Sequence, residues 1–467
     1  MKIIVLGAGQ VGSSVAASLC VEHDVTIVDV NPAPLQQLQD RYDLRTLAGP
    51  ASHPETIRQA GGKDTELIIA VTSSDEVNMV ACQVAAARFN IPKKIARIRS
   101  AAYQLEDDLF VLDKKEFGDP ADRDPRLRVD VLISPEEEVT NSIQRLIELT
   151  GALQVLDFAD GRVQLVGVRA AHGSPLVGHE VRDLATHMPS IDTRIVAIYR
   201  RGQGIPPDGD TIIEVGDEVF FIAAPEHCRA IMSELCSVDN PGRRVMIAGG
   251  GSIGTRLAMS IERSVQTKVI EADPERARVI SEQLVKSIVL HGDAADEDLM
   301  LEESIDKMDV FCALTNADEA NIISGMLAKR LGARTVMALI NRAAYVDLVQ
   351  TDIIDVAISP QVVTIGSVLA HVRRGDVVRV HSLRRGAAEA IEAIAHNETK
   401  VVGRAAEDID LPPGTVLGAL VRGDQVIIVH HDTVIEDKDH VILLVTDRRH
   451  VRDVEKLFAA PATAWIF

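Results

Sequence analysis

Two glycine clusters are the residues best suited to chemistry: Gly7-Ala8-Gly9-Gln10-Val11-Gly12 and Gly249-Gly250-Gly251-Ser252-Ile253-Gly254. Each follows an apolar run fit for a strand, Lys2 to Leu6 or Arg244 to Ala248, and each opens a segment fit for a helix. In that setting the spacing suits a diphosphate. The first glycine permits the tight turn, the bare second lets a pyrophosphate approach the backbone, and the third lets helix and strand pack closely. Unpaired N–H groups at Gln10-Val11 and Ser252-Ile253 then meet the phosphate charge. A second strand in each half closes on an acid, Asp29 or Glu271. Such a carboxylate accepts hydrogen bonds from the adenosine ribose hydroxyls. It repels a 2′-phosphate, and Val30-Asn31 supplies no arginine to neutralise one, so NAD(H) is favoured over its phosphorylated form. ADP and ATP carry the same adenosine-ribose-phosphate handle and stay open. Glu271 is the longer acid, so its ribose contact is expected to differ.

Further candidates lie along the same edge. Thr72 and Thr315 end the fourth strand of each half, where ligands sit in such sheets. Asp75 and Asp318 begin the next helices and read as N-caps. Arg97 and Arg99 end another strand, suited to a phosphate contact or an intersubunit salt bridge. In the second half Asn341 stands near the Arg99 position. Asp293, in His291-Gly292-Asp293-Ala294, is placed to cap a helix or touch a ligand; the first half has Gly49-Pro50-Ala51 there, with no acid. The two sites are therefore unequal.

Hydride transfer needs a proton donor poised at the nicotinamide. No Tyr-x-x-x-Lys occurs, and His172, His179 and His187 have no counterparts beyond, loosely, His396. No HExxH is present, and His430-His431 lacks spaced partners for a metal. Two unequal pockets without reactive groups indicate sensing. An NAD-dependent oxidoreductase is the alternative from another class.

The elements that must hold these residues repeat. Strand and helix alternate with short joints, which specifies a parallel, doubly wound sheet. The offset from Gly7 to Gly249 is kept from Asp29 to Glu271 and from Tyr103 to Tyr345, and Thr72 to Asn78 matches Thr315 to Asn321 one residue further on. A register held across separated motifs is an internal duplication. Ile133-Ser134-Pro135 and Ile358-Ser359-Pro360 close the two segments and lead into helices predicted at Glu137 to Thr150 and Gln361 to Val372. Short β-rich pieces follow each: Val163 to Arg169, Arg194 to Arg200 and Val219 to Ala223, then Glu389 to Ala395, Thr415 to Val421, Gln425 to Val429 and His440 to Val445. Turns are predicted at Gly216 to Val219 and Asp437 to His440. The fold class is thus α/β: two Rossmann-like doubly wound parallel-sheet domains, each followed by a small α+β domain. Boundaries are expected at 1–118, 119–150 (insertion and connecting helix), 151–239, 240–360, 361–372 (connecting helix), 373–455 and 456–467 (tail). Asn240-Pro241-Gly242 reads as a hinge, Phe117 to Asp130 as an exposed loop, and the tail with Trp465 as frayed.

Composition narrows the function. The chain has 467 residues and a net charge of −20, which repels nucleic-acid backbones and anionic lipid; nucleic acid is not an expected partner. No run of about twenty apolar residues is present to span a membrane. The five cysteines have no CxxC spacing, as expected of reduced thiols in a cytosol. Any membrane role must work through a protein partner.

With these motifs in hand, the chain resembles the regulatory nucleotide-binding subunit of bacterial Trk-type potassium uptake systems. The resemblance covers about residues 1 to 455. It rests on the first glycine motif with Asp29, on Thr72 to Asn78, and on Arg97-x-Arg99-x-x-x-Tyr103; in the second half it rests on His291 to Ala294, Thr315 to Asn321 and Ile358 to Pro360. It implies tandem domains that regulate K⁺ conductance. It implies NAD(H) and adenine nucleotides, ATP and ADP, as ligands of the Rossmann lobes. It also implies a membrane-embedded K⁺ translocating partner at the inner face of the cell membrane, and self-association as a tetramer forming a gating ring. Pro50 in place of an acid and Asn341 opposite Arg99 depart from the family pattern. A regulator of another cation transporter or channel is the alternative within this class.

Overall fold

A computed structural model of the chain describes residues 1–104, 109–110, 127–237, 242–342, 345–346, 349, 354–373, 376–383 and 388–459. The hinge at Asn240-Pro241, most of the Phe117 to Asp130 loop and the tail from 460 onward lie outside these residues.

The first Rossmann sheet contains β1 (Lys2–Leu6), β2 (Asp24–Asp29), β3 (Arg45–Ala48), β4 (Leu67–Ala70), β5 (Lys93–Arg97) and β6 (Val131–Ile133), in the order β3-β2-β1-β4-β5-β6. All neighbours run parallel. Leu67–Ala70 is buried throughout and Ile3–Leu6 nearly so, because helices cover both faces of such a sheet. The strand order turns back between β1 and β4, which leaves a crevice beyond their carboxyl ends.

The first small lobe is an antiparallel sheet of β7 (Ala152–Phe158), β8 (Val163–Arg169), β9 (Arg194–Arg200), β10 (Gln203–Ile205) and β11 (Glu218–Ala223), ordered β10-β9-β11-β8-β7. The second Rossmann sheet follows: β12 (Arg244–Ala248), β13 (Gln266–Glu271), β14 (Ile288–His291), β15 (Val310–Ala313), β16 (Thr335–Leu339) and β17 (Val356–Ile358), ordered β14-β13-β12-β15-β16-β17. The second small lobe has β18 (Val377–Leu383), β19 (Ala388–Ile394), β20 (Thr415–Arg422), β21 (Gln425–Ile428) and β22 (His440–Val445), ordered β18-β19-β22-β20-β21. Read from its other edge, this is the first small lobe's order. Tandem Rossmann sheets followed by small α+β lobes are the expected fold class. The predicted connecting helices begin slightly earlier than anticipated, at Pro135–Glu148 and Pro360–Val372, since proline suits a helix's first turn.

Equivalent turns lock the small lobes. Arg200 Nε and Nη2 each lie 2.9 Å from an Asp217 carboxylate oxygen; Arg422 holds Asp439 the same way at 2.9 and 2.8 Å. Asp217 and Asp439 are buried, and each also accepts a backbone N–H, from Glu214 or Glu436. A fork-shaped donor matched to a carboxylate fixes orientation as well as charge.

Contacts divide the chain into two compact units: Met1–Glu138 with Pro360–Val368, and Val139–Ser359 with Leu369–Phe467. In the first, the Ser14 hydroxyl donates to Gln361 Oε1 at 2.9 Å and the Ser367 hydroxyl to Glu138 Oε1 at 2.9 Å. In the second, the two small lobes share one core, with Phe158, Val196 and Phe220 of one packed with Leu383, Ala419 and Leu444 of the other. Glu392 Oε2 accepts the Ala159 N–H across that core at 2.9 Å, and Oε1 lies 2.6 Å from His440 Nδ1.

Candidate nucleotide sites

The three glycines of each motif meet different physical demands. Gly7 and Gly249 both have φ of +104°, a region that residues with side chains rarely adopt. A Cβ at Gly12 would lie 1.9 Å from the Gly7 carbonyl oxygen, and one at Gly254 2.0 Å from that of Gly249. These positions serve the turn and the helix–strand contact. A Cβ at Gly9 or Gly251 meets nothing within 4 Å. Both residues are N-caps, of the helices Gln10–Leu19 and Ser252–Ile261, and neither helix has a side-chain cap. The first-turn N–H groups of a helix have no partner within it. Bare backbone, open space and uncapped donors thus coincide at Gly9-Gln10-Val11 and at Gly251-Ser252-Ile253.

The acids brace these loops. Asp29 Oδ2 accepts the Ala8 N–H at 2.6 Å and Oδ1 that of Asn31 at 2.8 Å. Glu271 takes the Gly250 N–H at 2.7 Å and the Asp273 N–H at 2.9 Å. The longer Glu side chain reproduces the Asp geometry. Each carboxylate oxygen keeps further acceptor capacity, and both residues are half-buried, so ribose hydroxyls can reach them.

Thr72 and Thr315 are held by asparagines whose role was not anticipated. Asn78 Oδ1 accepts the Thr72 N–H at 2.9 Å and its hydroxyl at 2.7 Å, while Nδ2 donates to the Arg97 carbonyl at 2.9 Å. Asn321 does the same for Thr315, at 2.8 and 2.6 Å, and donates to Leu339 at 2.8 Å. Both asparagines are fully buried. They tie the fourth strand's end to the fifth strand, which fixes the floor of the crevice. The matched Thr72–Asn78 and Thr315–Asn321 stretches carried this signal in the sequence.

Asp75 and Asp318 are not the N-caps expected of them. Ser74 is the cap of Asp75–Phe89, and the second helix has Ala317 there with no side-chain bond. Asp75 instead accepts the Arg99 and Ser100 N–H groups at 2.9 Å each, and Asp318 those of Asn341 and Arg342 at 2.8 Å. Asp293 is likewise not a helix cap: it accepts the Ala295 N–H at 2.9 Å in a turn, and Asp296 caps Glu297–Glu302. Arg97 makes an ion pair within the chain, 2.6 Å from Glu136 Oε1. Arg99 stays partly exposed, its guanidinium on the Ser73 carbonyl and Nε 3.6 Å from Asp75, so it borders the crevice mouth.

Among the described residues no group of three or more His, Cys, Asp or Glu could hold a metal. Burial pushes the Cys82 and Cys312 thiols up to about 12, far from a reactive thiolate. No helix among these residues is long and apolar enough to cross a membrane.

Fold and site together define a class: a duplicated Rossmann protein with paired glycine cradles and small lobes that share a core. Comparison with known proteins makes this specific. A family model described as the TrkA-N domain matches residues 3–109 and 245–360, and one described as the TrkA-C domain matches 165–235 and 390–459. The chain is 56% identical to the Trk system potassium uptake protein TrkA of Halomonas elongata over 467 residues, spanning 99% of this chain and 100% of that protein. It is 54% identical to the protein of the same name from Vibrio alginolyticus, covering 98% of each. The GsuK RCK domain shares the fold, with a TM-score of 0.59 at 15% identity over 97% of this chain and 94% of that one. A structure described as the GsuK channel bound to NAD has the same score at 16% identity, covering 98% and 78%. The chain belongs to the TrkA family and is a regulatory subunit of a Trk potassium uptake system.

Proposed function

We propose that both cradles bind adenine nucleotides, NAD(H), ADP or ATP, and that their occupancy regulates a membrane-embedded K⁺ translocating partner at the inner face of the membrane. The carrying observation is the open backbone at Gly9 and Gly251, each beside a braced carboxylate and an uncapped helix start. The diphosphate lies against Gly7 to Gly12 or Gly249 to Gly254, the ribose meets Asp29 or Glu271, and the tail runs toward Thr72 and Arg99 or toward Thr315. The NAD-bound fold relative is in keeping with this ligand class. Four chains self-associate into a ring built from lobes at 1–118, 151–239, 240–360 and 373–455.

Regulation follows from linkage: a nucleotide that binds one ring shape more tightly shifts the population toward it. Equal affinity for both shapes would shift nothing. The test is K⁺ flux through the partner reconstituted with the full chain in vesicles, with and without ATP, ADP and NADH. Flux is expected to change with nucleotide, and to stop responding in a chain carrying both Gly9→Asp and Gly251→Asp. Nucleotides that bind while flux is unchanged would overturn the regulatory reading.

A further inference from the structure

The duplicated cradles differ in where their cations stand. Asn31 corresponds to Asp273 and Pro32 to Pro274, so Arg276 occupies the position of Pro34. Arg276 Nε donates to the Gly250 carbonyl at 2.6 Å. The adjoining Gly250 N–H donates to Glu271 at 2.7 Å, so the guanidinium stands beside the ribose-binding acid. Arg276 is exposed; its backbone N–H donates to Asp273 at 2.7 Å, and its two terminal guanidinium nitrogens have no acceptor among the described residues. Proline offers no donor and no charge there in the first cradle. At the opposite end the asymmetry reverses. The first cradle has Arg99 at its mouth; the second has Asn341, whose amide is held by Asp318 at 3.1 Å, and the adjacent Arg342 is engaged by Glu319 at 2.9 Å and the Tyr345 hydroxyl at 2.8 Å.

We propose that Arg276 determines specificity at the second cradle by holding the adenosine end of an adenine nucleotide, so that this cradle is indifferent to phosphate-tail length. The first cradle, with Arg99 held at the tail end by the Ser73 carbonyl and Asp75, distinguishes tails instead. A planar guanidinium presents donors and a stacking face together, which matches the nitrogen-rich edge and flat face of adenine. Glu271 and Arg276 then grip ribose and base from one side. This rests on nucleotide binding as proposed above.

The test is calorimetric titration of the full chain with ADP, ATP and inorganic pyrophosphate. In a Gly9→Asp chain, which leaves only the second cradle, ADP and ATP are expected to bind within about threefold of each other. Adding Arg276→Ala weakens both about tenfold or more and leaves the affinity for inorganic pyrophosphate unchanged, while Arg276→Lys restores part of the loss. In a Gly251→Asp chain Arg276→Ala changes nothing, and Arg99→Ala removes the difference between ADP and ATP. A loop-bracing role alone, through the Gly250 carbonyl, would weaken pyrophosphate as well. Arg276→Ala affinities within about twofold of the parent, an equal loss for pyrophosphate, or a loss confined to ATP would overturn the assignment. Failure of the unsubstituted chain to bind any nucleotide would instead overturn the nucleotide reading itself.

Discussion

Gly9 and Gly12 stand three residues apart and respond oppositely to a side chain. Gly9→Asp adds a carboxylate to open space at an N-cap, where Asp is favoured. Its melting temperature is expected to hold or rise slightly, while nucleotide affinity at the first cradle falls about a hundredfold, ~3 kcal/mol. Gly12→Ala drives a methyl into the Gly7 carbonyl, and is expected to destabilise the chain by about 1–3 kcal/mol. Calorimetry beside thermal melts separates the two. Glu262 supplies a pH signature at the same scale. Burial pushes its carboxyl up, but the N–H groups of Lys286, Ser287 and Val285 and the Ser287 hydroxyl together hold it below its usual value. A lowered folded pKa gives stability that is present above the ordinary carboxylate range and lost as pH falls through the folded value. The melting-temperature gap between the parent and Glu262→Gln is therefore expected to be full at pH 7 and to close in strong acid.

At the scale of elements, the buried asparagines fasten each crevice floor. Asn321→Leu strands two Thr315 donors and the Leu339 carbonyl. At about 1–3 kcal/mol for a buried group left unpaired, a loss of ~3 kcal/mol is expected by denaturant melts, with weaker binding at the second cradle. Period and offset made most elements legible: the glycine loops, the acids closing β2 and β13, and strands such as Arg194–Arg200 stand where the sequence places them. Val377–Leu383 did not declare itself, because Arg379 and His381 interrupt its apolar pattern. Those two side chains face the Asp157 carbonyl of the other small lobe, at 3.2 Å each, a contact invisible from local sequence. Asp75 fails as a cap for the same reason: its partners come from Arg99 and Ser100, beyond the next strand. The Arg97–Glu136 pair spans 39 positions, so spacing alone could not choose between a ligand and a protein partner.

At the scale of the whole molecule, the two small lobes are joined through one shared core. His381 packs against it, edge-on to Phe158 at a centroid distance of 5.1 Å. Burial pushes its imidazole down to about 4, with nearby Arg379 and Arg145 adding to the effect and Asp157 opposing it. An unfolded histidine titrates near 6.5. Between those values only the unfolded chain takes up the proton, so stability is full above about pH 6.5 and declines as pH falls toward 4. The expected loss at pH 5 is about 2 kcal/mol, and melts of His381→Gln should show a shallower decline than the parent. The regulatory account itself requires two nucleotides on every chain. Native mass spectrometry of the full chain in saturating ATP counts them directly. Two adenine nucleotides per chain are expected, one in either Gly9→Asp or Gly251→Asp, and none in the double variant; an unsubstituted chain with fewer than two nucleotides, or a double variant that still carries two, would contradict it.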